Sequence, residues 1–341
     1  MKILLSLFIA IVIFGCKAKI IDTPEENITP IEEPTSKPAK DILTAPVEVS
    51  TLGFVTSKEL KESVSYLASD ELEGRDTGSA GIEKAAVYIE NKLKSYNVKP
   101  YFETYRDNYD AKGRKAFNVI GFIEGSDPQL KKEVIILGAH YDHIGFGKAV
   151  ENDSIANGAN DDATGTAAVL AMARYFAGKK NNKRSIMFTL YSGEEMGLLG
   201  SKHLAEKLKT DNINVYTMIN FEMIGVPMVD KEYEAYFTGY DLSNMAAKLN
   251  EYAGHNLLGL LPKAKEFQLF YRSDNYSFYK AFNKPCHAIS TFDFTNFEYY
   301  HHVDDEADKM DYDFMASLVN KLLPAFEAMS NTPTSEIKMN E

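Results

Sequence analysis

The chain has 341 residues, 45% of them apolar and 25% charged, which is enough to bury one sizeable α/β core and is unlike a disordered or fibrous composition. Asp and Glu outnumber Lys and Arg by 49 to 37, a formal net charge of −12, which argues against nucleic acid as a partner because such binding needs clustered cations to displace counterions. Cys16 and Cys286 are the two cysteines, so there is no disulfide framework, and the chain contains no Trp.

The N-terminus reads as an export signal. Met1-Lys2 is a short positive start, and Ile3 to Phe14 is an apolar run broken by Ser6. Twelve residues are too few to span a bilayer, which takes about 20, but they suit a signal-peptide core. Ile13-Phe14-Gly15-Cys16 resembles a bacterial lipobox, which predicts cleavage before Cys16, its lipidation, and a membrane-anchored protein of the bacterial cell envelope. An ordinary secretory signal with a chance cysteine is the plainer alternative. Residues 17–52 hold five of the twelve prolines among Glu, Thr and Lys. They read as an extended tether reaching about 30–35 Å as a flexible coil.

From residue 53 to residue 330 the pattern is that of a folded domain. Leu60, Val64 and Leu67 recur at helical spacing after Ser57, and Ile82, Ala86, Ile89 and Leu93 after Ser79. The branched apolar runs Phe117–Ile123 and Glu133–Ala139 predict strands. A small-residue helix is expected over Ala163–Phe176, a strand over Ser185–Tyr191, a helix over Gly197–Leu208 and a strand over Val215–Ile219. A helix over Leu242–Tyr252, a strand over Pro285–Ser290 and a long helix striped by Tyr312, Met315, Val319, Leu322, Phe326 and Met329 complete the domain. Alternation of the two patterns predicts an α/β fold, a three-layer α/β/α sandwich with a mixed, largely parallel central sheet. Residues 331–341 are expected to be a polar, frayed tail.

Ligands of α/β sheets gather outside the carboxyl ends of strands, and several predicted strands lead into metal-ligand residue types. The first such end is Gly138-Ala139-His140-Tyr141-Asp142-His143, where Asp142 is placed to hold one nitrogen of His140 while the other meets a metal. Gly158-Ala159-Asn160-Asp161-Asp162-Ala163-Thr164-Gly165 is a tight loop entering a helix; its acids suit either caps or ligands. Ser192-Gly193-Glu194-Glu195 puts two glutamates after a buried strand, and Glu222 interrupts the apolar run Met218–Gly225; buried carboxylates need a cationic or hydrogen-bonding partner. Tyr299-Tyr300-His301-His302 precedes an acidic run and the last helix. Each cluster alone fits a surface loop as well.

As an ordered set, His140-Tyr141-Asp142, Gly158–Gly165 and Gly193-Glu194-Glu195, with Asp70–Arg75 ahead of the second helix, resemble the co-catalytic di-zinc aminopeptidases typified by bacterial leucyl aminopeptidases and aminopeptidase Y. The resemblance covers roughly residues 57–330, and glutamate carboxypeptidase, transferrin receptor and animal-type glutaminyl cyclase are more distant relatives. It implies a zinc-exopeptidase fold and two Zn2+, with Mn2+ or Co2+ as possible substitutes. His140, Asp161 and Glu222 would bind one metal, and Asp161, Glu195 and His301 the other. Asp142 would orient His140, Glu194 would be the general base, and the Tyr300 hydroxyl would either face the oxyanion or simply pack. Many relatives carry Asp where this chain has Glu222, and the family often has a cis peptide after its bridging Asp, here Asp161–Asp162. The implied reaction is hydrolysis of peptides with a free N-terminus, through a water made hydroxide-like between the metals. The alternatives are a glutaminyl-peptide cyclotransferase, whose site relies by resemblance on tryptophans, and a non-catalytic binding lipoprotein that retains the fold.

Overall fold

The computed structural model describes residues 54–341. The signal segment, Cys16 and the tether over residues 17–52 lie outside the described residues. The strands are β1 (Lys99–Pro100), β2 (Arg106–Ala111), β3 (Arg114–Ile123), β4 (Val134–His140), β5 (Phe146–Val150), β6 (Asp153–Ile155), β7 (Ser185–Tyr191), β8 (Val215–Glu222), β9 (Ala235–Phe237), β10 (Leu258–Gly259) and β11 (Cys286–Ser290). The helices are α1 (Ser57–Leu67), α2 (Ala80–Ser95), α3 (Thr164–Lys179), α4 (Leu199–Thr210), α5 (Met245–Ala253), α6 (Pro262–Glu266), α7 (Asn275–Phe282) and α8 (Tyr312–Asn331).

Nine strands form one sheet in the order β1-β3-β7-β4-β8-β11-β9-β10, with β2 paired to β3; β5 and β6 form a separate hairpin. β7, β4, β8 and β11 run parallel, whereas β3 meets β7 and β9 meets β11 antiparallel. Every residue of β4 and β7 is buried, because helices cover both faces, and this is why these strands read as largely apolar runs. Alternate residues serve opposite layers. Ile135, Leu137 and Ala139 join the core beneath α1, α2, α3, α5 and α8, while Val134 and Ile136 pack with Leu204 and Leu208 of α4 and Phe278 of α7. The three-layer sandwich with a mixed sheet is therefore the observed fold. Among the described residues, no helix is long and apolar enough to cross a membrane.

Local chemistry sets the element ends. The Ser79 hydroxyl accepts the Ile82 N–H and starts α2. α1 is capped one residue earlier than expected, by Thr56, whose hydroxyl accepts the Glu59 N–H. α4 begins at Leu199 rather than Gly197, because Gly197 sits at φ +101° in the preceding turn. β8 continues past Ile219 to Glu222, held by pairing with β11 through Ser290. The C-terminal residues are not frayed as expected. Ile337 is buried, its N–H donates to the Tyr216 hydroxyl at 3.0 Å, and Ser243 and Met339 form a β-bridge. One apolar side chain and a satisfied backbone are enough to seat an otherwise polar segment.

Candidate metal centre

Parallel pairing builds the floor of the site. Gly138 of β4 lies opposite Asn220 of β8, so two residues further on His140 and Glu222 leave the sheet side by side and on the same face. Tyr191, the last residue of β7, is level with His140 on the other flank and leads into Glu194 and Glu195. Asp161 enters from the loop before α3, and His301 from the loop after β11.

The carboxylate of Asp161 stands at the centre. Its Oδ1 lies 3.1 Å from His140 Nε2, and its Oδ2 lies 3.3 Å from His301 Nε2. His140 Nε2 is also 3.4 Å from Glu222 Oε1, and His301 Nε2 is 3.1 Å from Glu195 Oε2. All five expected ligands therefore converge, with His140 and Glu222 on the Oδ1 side of Asp161 and His301 and Glu195 on the Oδ2 side. The peptide bond between Asp161 and Asp162 is cis. The extra methylene of Glu222 is accommodated by anchoring its second oxygen, which accepts from the Ser273 hydroxyl at 2.8 Å and from Asn220 Nδ2 at 3.3 Å.

These residues fit a metal. His140 Nε2 and Glu195 Oε1 are buried without a hydrogen-bond partner, an expensive state for polar atoms unless a cation satisfies them. Zinc bonds of 2.0–2.1 Å in a tetrahedron place neighbouring donor atoms about 3.3–3.4 Å apart, and the separations here fall close to that value. Imidazole and carboxylate donors without sulfur suit zinc and admit Mn2+ or Co2+.

Charge follows from the same crowding. Burial opposes protonation of His140, yet the surrounding carboxylates, Glu222 and Glu194 foremost, hold its pKa well above the usual imidazole value. Burial likewise works against a charged His301, but Asp161 and Glu195 push it up to about 10. Both rings would carry protons that a metal must displace. Burial, followed by the negative charges of Glu222, Asp274 and Glu195, raises the Glu194 carboxyl well above the ordinary range, against the pull of His140. Glu194 donates its main-chain N–H to Asp142 Oδ1 at 3.3 Å and leaves its carboxylate outside the ion-pair set.

Asp142 acts on His140 differently from the expectation. The ring Nδ1 lies 3.0 Å from the main-chain carbonyl of Asp142, while the carboxylate is 3.6 Å away, beyond hydrogen-bond reach. That carboxylate instead accepts the Thr77 hydroxyl at 3.0 Å, and the Thr77 oxygen accepts the Gly193 N–H at 2.9 Å. Asp142 thus ties the end of β4 to the glutamate loop after β7. Tyr300 stacks its ring on His301, with centroids 4.0 Å apart, and lines a cavity of about 90 Å³ with Glu222, Tyr236, Leu269 and Phe292. Asp162 caps α3, accepting the Gly165 N–H at 3.1 Å, and also accepts the Met223 N–H at 3.0 Å.

Three functional residues escaped the sequence reading. Arg75 is fully buried and donates to the carbonyls of Leu67, Tyr141, Asn157 and Gly158, pinning the His140 and Asp161 loops together. Asp305 accepts the N–H groups of Asn160 at 2.7 Å and Asp161 at 3.1 Å, fixing the loop that carries the central carboxylate. His143, also fully buried, sits with Nδ1 3.0 Å from Glu195 Oε1. A second imidazole three residues after the first, at the end of a buried strand, was the available signal.

Residues 118–324, more than half of the chain, match the family described as Peptidase family M28. The chain belongs to peptidase family M28. A probable zinc metalloprotease of Pyrenophora teres f. teres is 40% identical over 108 residues, 31% of this M28 chain and 22% of that protein. The chain spans 21% to 34% of the length of such curated relatives. The zinc aminopeptidase BSAP of Bacillus subtilis superposes with a TM-score of 0.65 over 84% of this chain and 98% of that one, at 15% identity. A glutaminyl cyclase of Porphyromonas gingivalis superposes with a TM-score of 0.62 over 81% of this chain and 99% of that one, at 16% identity. These likenesses are of fold. The geometry around Asp161 is this M28 member's own.

Proposed function

We propose that this protein is a zinc-dependent aminopeptidase that holds two metals on either side of Asp161. The observation that carries the reading is one buried carboxylate facing two separate ligand sets, beside a glutamate that belongs to neither. Two divalent cations, when bound, would polarise the scissile carbonyl and acidify the attacking water.

The remaining roles fall to the chain itself. Glu194 would take the proton of the attacking water and return it to the departing amine. Burial and the neighbouring carboxylates raise its pKa above the ordinary carboxyl range, and a carboxylate of raised pKa is a stronger proton acceptor. The same carboxylates would receive the α-ammonium of a free N-terminus, whereas a C-terminal carboxylate would be repelled. Tyr300 is 47% exposed; partial desolvation and the charges of Asp161 and Glu195 raise its hydroxyl above the ordinary tyrosine value, so it would serve as a donor to a developing oxyanion. The cavity beside Glu222, lined by Leu269, Phe292 and Phe294, favours an apolar first side chain.

Zinc-loaded protein should cleave aminoacyl chromogenic amides and spare their N-acetylated forms. Glu194→Gln should lower kcat by about 10²–10⁴-fold with metal content unchanged. Inactivity of the wild type on every such amide, or full activity of the variant, contradicts the proposal; ammonia release from N-terminal glutamine without hydrolysis would indicate a cyclase.

We also propose that Cys16 is lipidated and that residues 17–52 tether the domain to a bacterial envelope membrane, a reading supported by the apolar run that ends at Phe14, just before Gly15-Cys16. Labelled palmitate should enter the wild type and not Cys16→Ser; equal labelling refutes the anchor.

A further inference from the structure

We propose that His143 is a fourth protein ligand of the second metal, so that the two sites are built unequally. One would have three protein ligands, His140, Asp161 and Glu222. The other would have four, His143, Asp161, Glu195 and His301. This rests on the two-metal reading above and adds a residue to it.

His143 Nδ1, like His140 Nε2, faces two carboxylates, although His140 rests its other nitrogen on the Asp142 carbonyl whereas His143 Nε2 is buried without a partner. His143 Nδ1 lies 3.0 Å from Glu195 Oε1 and 3.7 Å from Asp161 Oδ2. His140 Nε2 lies 3.1 Å from Asp161 Oδ1 and 3.4 Å from Glu222 Oε1. In both rings the nitrogen is within hydrogen-bond distance of a carboxylate oxygen, yet neither nitrogen has a hydrogen-bond partner. A hydrogen bond needs the acceptor along the N–H direction. A buried nitrogen without a hydrogen-bond partner, close to two carboxylate oxygens, is a group that a shared cation would satisfy. His143 Nδ1 and His301 Nε2 both approach Asp161 Oδ2, at 3.7 and 3.3 Å, and each meets a different oxygen of Glu195, Oε1 at 3.0 Å and Oε2 at 3.1 Å, so both rings face the same two carboxylates.

His143 is held for this position. Its ring is fully buried, and its main-chain N–H donates to the Arg75 carbonyl at 3.3 Å. Gly158 leaves the ring its room: a Cβ there would come within 2.5 Å of His143 Cγ. The His143 and His301 rings approach edge to face at 5.6 Å, from the buried and the open side respectively. With no exposed edge, His143 has no route to act as a proton shuttle to solvent.

The consequence is a division of labour. Sites closed by four protein ligands are typically structural, and sites with three keep a position for water or substrate. The His143 site would hold its metal tightly, and the His140 site, beside Glu194, would present the open position.

The test uses the full chain, purified in detergent, stripped of metal, and titrated with Co2+ under visible absorption and chelator competition. Wild type should bind two Co2+ unequally, the tighter one giving intense tetrahedral bands. His143→Ala, and His143→Gln should the former not fold, should weaken one Co2+ by more than about a hundredfold, since even partners of metal ligands are worth 10–100-fold. The bands of that site should change and those of the other persist. Fewer than two Co2+ on the wild type would refute the two-metal reading and this inference with it. Two Co2+ on the wild type, with either folded variant keeping unchanged band energies, would refute the role of His143 alone, because an imidazole that only supports Glu195 leaves the donor set intact.

Discussion

Replacing Arg75 with Met should unfasten the loops that carry the site. The guanidinium is fully buried and serves four main-chain carbonyls, those of Leu67, Tyr141, Asn157 and Gly158. Leaving a buried acceptor unmet costs about 1–3 kcal/mol, so four give about 4–12 kcal/mol. Part of this is recovered, because burial also disfavours the charge and lowers the Arg75 pKa to about 10, with Asp305, Asp142, Asp161 and Asp162 opposing the shift. A fall from 12.5 to about 10 corresponds to roughly 3 kcal/mol at 1.36 kcal/mol per pKa unit. The net loss therefore falls between about 1 and 9 kcal/mol, centred near 5 and at the upper end for single substitutions. The chain has no Trp, so urea unfolding of the metal-free protein is best followed by far-UV circular dichroism. The midpoint should fall with the slope unchanged, and Arg75→Lys should not rescue it, since an ammonium cannot reach four carbonyls in fork geometry. A loss below about 1 kcal/mol would refute the view that this side chain organises the ligand loops.

Metal loading at pH 8 should release at least about one proton, because His301, held up to about 10 by Asp161 and Glu195, must be neutral to ligate. The sign follows: affinity should rise with pH towards the His301 value of about 10 and fall below it. Calorimetry in buffers of different ionisation enthalpy measures this directly, and a buffer-independent heat would contradict it. Ile337→Ala should cost about 2 kcal/mol, read as a lower thermal midpoint; no change would mean that the C-terminal segment is frayed after all.

Much of the architecture was legible because β4 and β7 are buried on both faces and so carry largely apolar runs. β2 was not, since Arg106–Ala111 is a polar strand at the sheet's margin, paired with β3 alone. Glu222 and His140 are suspected from polar residues at apolar strand ends and Asp161 from its glycine-flanked loop, but which ligands Asp161 shares follows only from family resemblance, because it depends on loops distant in sequence. Arg75 stayed hidden because arginine is rarely buried, and nothing local to Asp70–Arg75 reveals the four carbonyls it meets. Beyond its imidazole, His143 gives no separate signal in the sequence, because Asp142 already accounts for a polar residue beside His140. The frayed tail was misread because composition averages away a single anchoring residue, Ile337.

The central claim is that Asp161 bridges two cations. Crystals grown with zinc, with diffraction recorded on either side of the zinc absorption edge, test it most directly. The account predicts two anomalous peaks about 3.5–4 Å apart, one against each oxygen of Asp161. A single peak, or two that do not share Asp161, would contradict it.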